Sequence, residues 1–220
     1  MLATGFSQGA SAALGLARAL QGGADHWFRL GALAPVSGGY AFKDVELPAL
    51  LKGETDPKAG VIYAALTFVA FNQAHHLYDS PSDVFRAPYD RRIEKLLDGS
   101  HTGPEVVKGT PNMVKDLLTA RGRDALAHPT GRLAQALRVT DAVCAWTPKV
   151  PVRLYMAKSD EQAVNGNSRR CLAQLRARGA DVRLIDLGTP DYSGSRHLGS
   201  QQAATASLVR WFASISKKPI

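Results

Sequence analysis

Residues 1–20 read Met1-Leu2-Ala3-Thr4-Gly5-Phe6-Ser7-Gln8-Gly9-Ala10, followed by "SAALGLARAL". The apolar run up to Thr4 reads as the end of a buried strand. Residues 10–20 read as a helix, with small side chains early for close packing on a sheet and Leu14, Leu16 and Leu20 later. Between them, Gly5 and Gly9 leave room for a tight turn that lifts Ser7 into the open. A serine hydroxyl is a poor nucleophile until it is exposed, paired with a base and set beside donors for an oxyanion. The strand-to-helix turn exposes it, and the Gln8 backbone N–H, at the start of the helix, is aimed where an oxyanion would form.

Working outward, "FRLGALAPVSG" at 28–38 predicts a second buried strand ended by Pro35 and Gly38-Gly39. From 41 to 147 the pattern is helical, broken by Pro and Gly, and no convincing strand is found. "VPVRLYMAKSD" (150–160) and "DVRLIDLG" (181–188) predict two further strands. "NSRRCLAQLRARGA" (167–180) and "QQAATASLVRWFASI" (201–215) predict the helices that follow them. Strand–helix alternation at both ends implies an α/β fold with a parallel sheet and crossover helices. Its core is expected over 1–40 and 148–220, with 41–147 as a helical insertion.

The 220 residues are 45% hydrophobic and 21% charged, ordinary globular usage that excludes a disordered chain. The net charge of +8 comes from scattered Lys and Arg, with only short pairs such as Arg91-Arg92 and Lys217-Lys218. That is a solvated basic surface, and no nucleic-acid partner is expected. Cys144 and Cys171 fit no metal motif and permit one disulfide or none. The start of the chain lacks a basic region followed by an apolar core, so it does not read as a signal peptide. The longest apolar stretch, "VIYAALTFVAF" at 61–71, is too short to span a bilayer.

A nucleophilic serine needs a base and an acid. The histidines are His26, His75, His76, His101, His128 and His197, and only His197 follows the last expected strand, in the loop "GTPDYSGSRHLGS". His75 and His76 sit in an apolar helical stretch and suit packing or lid contacts better than catalysis. Asp160 ends the strand "VRLYMAKSD", at the sheet edge where sites of this kind collect. Its neighbour Glu161 is the alternative acid; Asp186, within a strand, and Asp191, in the His197 loop, are weaker candidates.

Taken together, "TGFSQGASAAL", "TPKVPVRLYMAKSDEQAV", "NSRRCLAQLRARGADVRLIDL" and "SRHLGS" resemble the α/β-hydrolases, in particular the capped microbial secretory lipases and esterases. The resemblance covers about half of the chain, its two ends. It implies a serine esterase or lipase with Ser7 as nucleophile, His197 as base and Asp160 as acid, needing no metal or organic cofactor. Its substrate would be a small-molecule or lipid ester. The insertion would be a lid, with Phe68, Phe71 and Tyr78 as substrate-binding candidates, and the full protein would be secreted. A peptidase or acyltransferase of the same fold, or a weakly active binding protein, remains the alternative. The resemblance also implies strands and a second oxyanion donor ahead of Ser7, for which the Gly38-Gly39 turn is the one internal candidate. The chain as written is therefore expected to be the C-terminal part of such a hydrolase. Its first strand edge would be open, inviting self-association, and its activity would be weak.

Overall fold

The apolar runs become β1 (Leu2–Phe6), β2 (Ala32–Val36), β3 (Val152–Met156) and β4 (Val182–Asp186). They form one parallel sheet in the order β1-β2-β3-β4, in a computed structural model that describes residues 1–216. Lys217-Lys218 and the two residues after them lie outside the described residues. The register pairs Leu2 with Ala32, Leu33 with Val152, and Val152 with Val182, so all four strands end along one edge, at Phe6, Val36, Met156 and Asp186. Parallel pairing needs both faces covered; β2 is apolar and buried throughout, while the outer strands carry Thr4, Arg183 and Asp186 exposed.

Between β1 and β2 runs α1 (Gln8–Gln21), and β2 leads into a π-helical turn, Phe42–Glu46. Then come α2 (Leu47–Lys52), α3 (Pro57–His75), α4 (Ile93–Leu96), α5 (Gly103–Gly109), α6 (Val114–Leu117), α7 (Ala120–Ala127) and α8 (Gly131–Thr140). After β3, α9 (Gly166–Arg176) leads to β4, and α10 (Arg196–Ser216) follows. The chain divides into a sheet unit, Met1–Glu46 with the segment from Thr140 on, and a helical unit, Leu47–Val139.

On one face of the sheet, Leu33, Val152 and Leu154 pack with Ala10, Leu14 and Ala17 of α1 and with Cys171 and Leu175 of α9. On the other, Ala32, Ala34, Val36 and Tyr155 pack with Ala204, Leu208 and Trp211 of α10. The alternation along β2 is the period-two signature of a strand buried on both sides. Each fully buried Leu contributes about 2–3 kcal/mol. The small residues Ala10, Ala13 and Ala17 let α1 lie close against the strands.

The sheet unit reaches further into the insertion than the 41–147 limits expected from sequence. Cys144 and Cys171 form a disulfide that ties the segment before β3 to α9. Asp141 accepts hydrogen bonds from the N–H groups of Phe42 and Lys43, and Trp146 is buried in the core beside α1. These long-range ties fix residues 41–46 and 140–147 to the sheet.

In the helical unit, Asp56 caps α3 by accepting from the Ala59 N–H at 2.8 Å, with Pro57 opening the helix. The Lys58 ammonium donates to the carbonyls of Val107, Thr110 and Pro111, binding α3 to the segment around α5. Among the described residues, this unit has no strand, only an isolated bridge between Phe85 and Leu118. None of the described helices is long and apolar enough to cross a membrane.

Candidate active site

Ser7 occupies the single position between β1 and α1, with φ of 55°. A non-glycine residue there is strained and needs support from its surroundings. Its N–H donates to the Val36 carbonyl at 2.9 Å, and its carbonyl accepts from the Ala10 N–H at 3.0 Å, so the turn is pinned on both sides. A Cβ at Gly5 would lie 2.0 Å from the Gly9 carbonyl oxygen, so only glycine fits. A Cβ at Gly9 would meet nothing within 4 Å. The expectation that both glycines make room is thus corrected: the Gly9 carbonyl, and not its α-carbon, crowds Gly5. Gln8 is the first residue of α1, and its N–H has no acceptor within the helix.

Asp160 lies beyond the end of β3, in the turn that follows Ala157. Its Oδ1 accepts from the N–H groups of Gln162 at 3.0 Å and Ala163 at 2.9 Å, which orients the carboxylate. The His197 Nδ1 is 3.0 Å from both Asp160 oxygens, and its Nε2 is 2.9 Å from the Ser7 Oγ. His197 and Asp160 are only 2% and 5% exposed. The Phe6 ring packs against the imidazole at 4.7 Å between centroids. A carboxylate can only accept, so Nδ1 carries the hydrogen and Nε2 is left to accept from the serine hydroxyl.

The sequence places His197 in a loop before a helix at 201; in the structure it lies in the first turn of α10, which begins at Arg196. Gly199 and Ser200 argue locally against a helix there, and hydrogen bonds from its first N–H groups to Glu161 and the Ser195 hydroxyl oxygen overrule them. Glu161 turns away from the imidazole toward that helix start. Burial works against its ionisation, but bonds from the Ser195 hydroxyl and from main-chain N–H groups outweigh it and hold the carboxyl below its usual pKa.

The remaining candidates fall elsewhere. Asp186 and Asp191 close local turns, accepting from the N–H groups of Gly188 at 2.8 Å and Gly194 at 3.1 Å. His26, His75, His76 and His128 are exposed, and His101 lies beside Asp98. Phe68 and Tyr78 are buried in an aromatic cluster with Phe85, at 5.8 and 6.1 Å, inside the helical unit. Phe71 is half-buried, its ring near-perpendicular to that of His75 at 5.9 Å between centroids. Of the three, only Phe71 retains free surface. In the Gly38-Gly39 turn, the Gly39 carbonyl accepts from the Ser11 hydroxyl, and the next two N–H groups, of Tyr40 and Ala41, are held by Asn167 Oδ1.

Asn167 was not singled out from sequence, nor was Glu46, whose buried carboxylate accepts from the Asn167 amide. No local pattern marks either, because their partners lie more than a hundred residues apart in the chain.

No protein-family model and no curated protein sequence matches the chain. Among solved structures, the rice cell wall degrading esterase LipA from Xanthomonas oryzae superposes with a TM-score of 0.82 at 22% identity, covering 95% of this chain and 57% of that one. A structure from Legionella pneumophila gives a TM-score of 0.87 at 17% identity, over 100% of this chain and 57% of that one. Candida antarctica lipase A gives 0.63 at 16% identity, over 84% and 42%. The chain thus spans less than two thirds of the length of these structures. Parallel strand order, flanking helices and these superpositions agree: the chain has the α/β-hydrolase fold.

Proposed function

We propose that this chain is a serine hydrolase that cleaves carboxylic esters through an acyl-enzyme on Ser7. The observation that carries the reading is the unbroken hydrogen-bonded line from Ser7 through His197 to Asp160, with the last two buried. In the proposed reaction, His197 Nε2 takes the hydroxyl proton as Ser7 Oγ attacks the ester carbonyl. The oxyanion forms toward the Gln8 N–H. Asp160 holds the imidazole in the reactive tautomer and stabilises the imidazolium. Collapse expels the alcohol, which takes the proton from Nε2. Water, deprotonated by the same nitrogen, then attacks the acyl carbon and frees Ser7. The likeness to structures named as an esterase and a lipase supports ester over amide as the bond cleaved. The helical unit, Leu47–Val139, is proposed as the lid that selects the acyl group.

A fluorophosphonate probe and p-nitrophenyl esters test the proposal. The probe should label Ser7 of the parent chain, and Ser7→Ala should lose both labelling and ester hydrolysis while keeping its thermal transition. Hydrolysis by Ser7→Ala within about tenfold of the parent would remove Ser7 as nucleophile, because loss of a triad serine costs far more than that.

A further inference from the structure

Asp160 and Glu161 are consecutive, yet their carboxylates take hold of the same histidine from two directions. Asp160 receives the His197 ring at 3.0 Å. Glu161 receives its main chain: the His197 N–H reaches Oε1 at 3.3 Å and Oε2 at 3.4 Å, and the Arg196 N–H reaches Oε2 at 3.1 Å. The Ser195 hydroxyl donates to Glu161 Oε1 at 2.5 Å, while the same Ser195 oxygen accepts from the Leu198 N–H at 3.1 Å.

A helix begins with N–H groups that have no acceptor inside it. In α10 each of them is accounted for. Those of Arg196 and His197 go to Glu161, that of Leu198 goes to Ser195 Oγ, and that of Gly199 goes to the Ser195 carbonyl at 3.0 Å. The first turn of α10 contains no acidic residue of its own. Glu161 supplies that charge from a loop more than thirty residues earlier. A third tie, from the Arg196 guanidinium to the Ser159 carbonyl at 3.2 Å, joins the same two segments.

We propose that Glu161 is a positioning residue for the reaction: it fixes the main chain of His197 so that the ring can span Ser7 and Asp160 at once. The inference rests on the functional reading given above. The imidazole bridges contacts of 2.9 and 3.0 Å, and this leaves little slack. The ring is set by Asp160, Ser7 and Phe6, but none of these holds the backbone from which it projects. If the first turn frayed, the ring would keep at most one of its two partners. Displacement of a reacting group by about 1 Å can cost about a hundredfold in rate. Because Asp160 and Glu161 are joined by a single peptide, the hold on the ring and the hold on the backbone cannot drift apart.

Two substitutions in the intact chain separate reach from charge. Glu161→Gln keeps the length and one acceptor oxygen but loses the charge. Glu161→Asp keeps the charge but withdraws it by one methylene from the N–H groups. For a positioning role, Glu161→Asp should lose at least about tenfold in kcat with little change in KM, and Glu161→Gln, whose amide NH2 cannot accept from the N–H groups that both carboxylate oxygens hold, should lower kcat in the same direction. Rates are normalised to the folded fraction measured by circular dichroism. The low-field proton resonance of His197 Nδ1–H should be sharp in the parent and broadened or absent in both variants. Equal rates and equal resonances for the parent and Glu161→Asp would overturn the inference. If the parent fails to label at Ser7, it is the proposed reaction that falls. The resonance pattern then still decides whether Glu161 positions the ring.

Discussion

Glu46 ends the π-helical turn that follows β2, and it is buried, with 3% of its surface exposed. One carboxylate oxygen accepts from Asn167, while the other has no hydrogen-bond partner among the described residues. Burial lifts its pKa from 4.5 to about 7; bonds from Asn167 and the Val164 N–H pull it down, and the nearby Asp160 charge adds to the rise. The folded protein therefore holds this proton more tightly than the unfolded chain does. The resulting stability is complete below about pH 4.5 and is lost as pH rises through about 7. At about 1.4 kcal/mol for each tenfold change in proton affinity, the rise corresponds to about 3 kcal/mol. Glu46→Gln is neutral throughout and can still accept from Asn167. The variant should match the parent within about 1 kcal/mol near pH 5 and exceed it by about 3 kcal/mol near pH 8.5. Urea unfolding measures this through tryptophan fluorescence, since Trp27, Trp146 and Trp211 all belong to the sheet unit. A stability gap that stays constant between those two pH values would refute the reasoning, because it would mean that Glu46 does not change charge in that range.

Asp160→Asn should lower kcat by about 10⁴, because the amide no longer enforces the tautomer that leaves Nε2 free to accept; steady-state kinetics at matched folded fraction measures it. Gly5→Ala should abolish soluble, folded protein or phosphonate labelling, because its Cβ would meet backbone at 2.0 Å, while Gly9→Ala should fold and label like the parent. Phe68→Ala should cost about 3–5 kcal/mol in urea unfolding with unchanged acyl preference, as expected of a core aromatic. Phe71→Ala, from a half-buried site, should instead shift the ratio of rates on short and long p-nitrophenyl esters. Equal acyl preference for Phe71→Ala and parent would remove Phe71 from substrate selection.

What the sequence by itself determined about this protein is local. The strand–turn–helix around Ser7 is legible because Gly5, the small residues of α1 and the apolar strand lie within fifteen residues and act on one another directly. The β3, α9 and β4 segments are legible for the same reason, since hydrophobic period and glycine breaks are near-neighbour properties. Only the tertiary structure decided matters that depend on distant partners. Of the six histidines, chain order already sets His197 apart as the one after the last strand, and the tertiary structure adds the distances that join it to Ser7 and Asp160. The start of α10 was misplaced by five residues because its N–H groups are satisfied by Glu161, which no window around residue 196 contains. The pairing of Cys144 with Cys171 and the burial of Glu46 against Asn167 belong to the same class. Packing the segment before β3 and the π-helical turn against α9 creates these contacts. Until the chain closes on itself, neither partner has anything to bind.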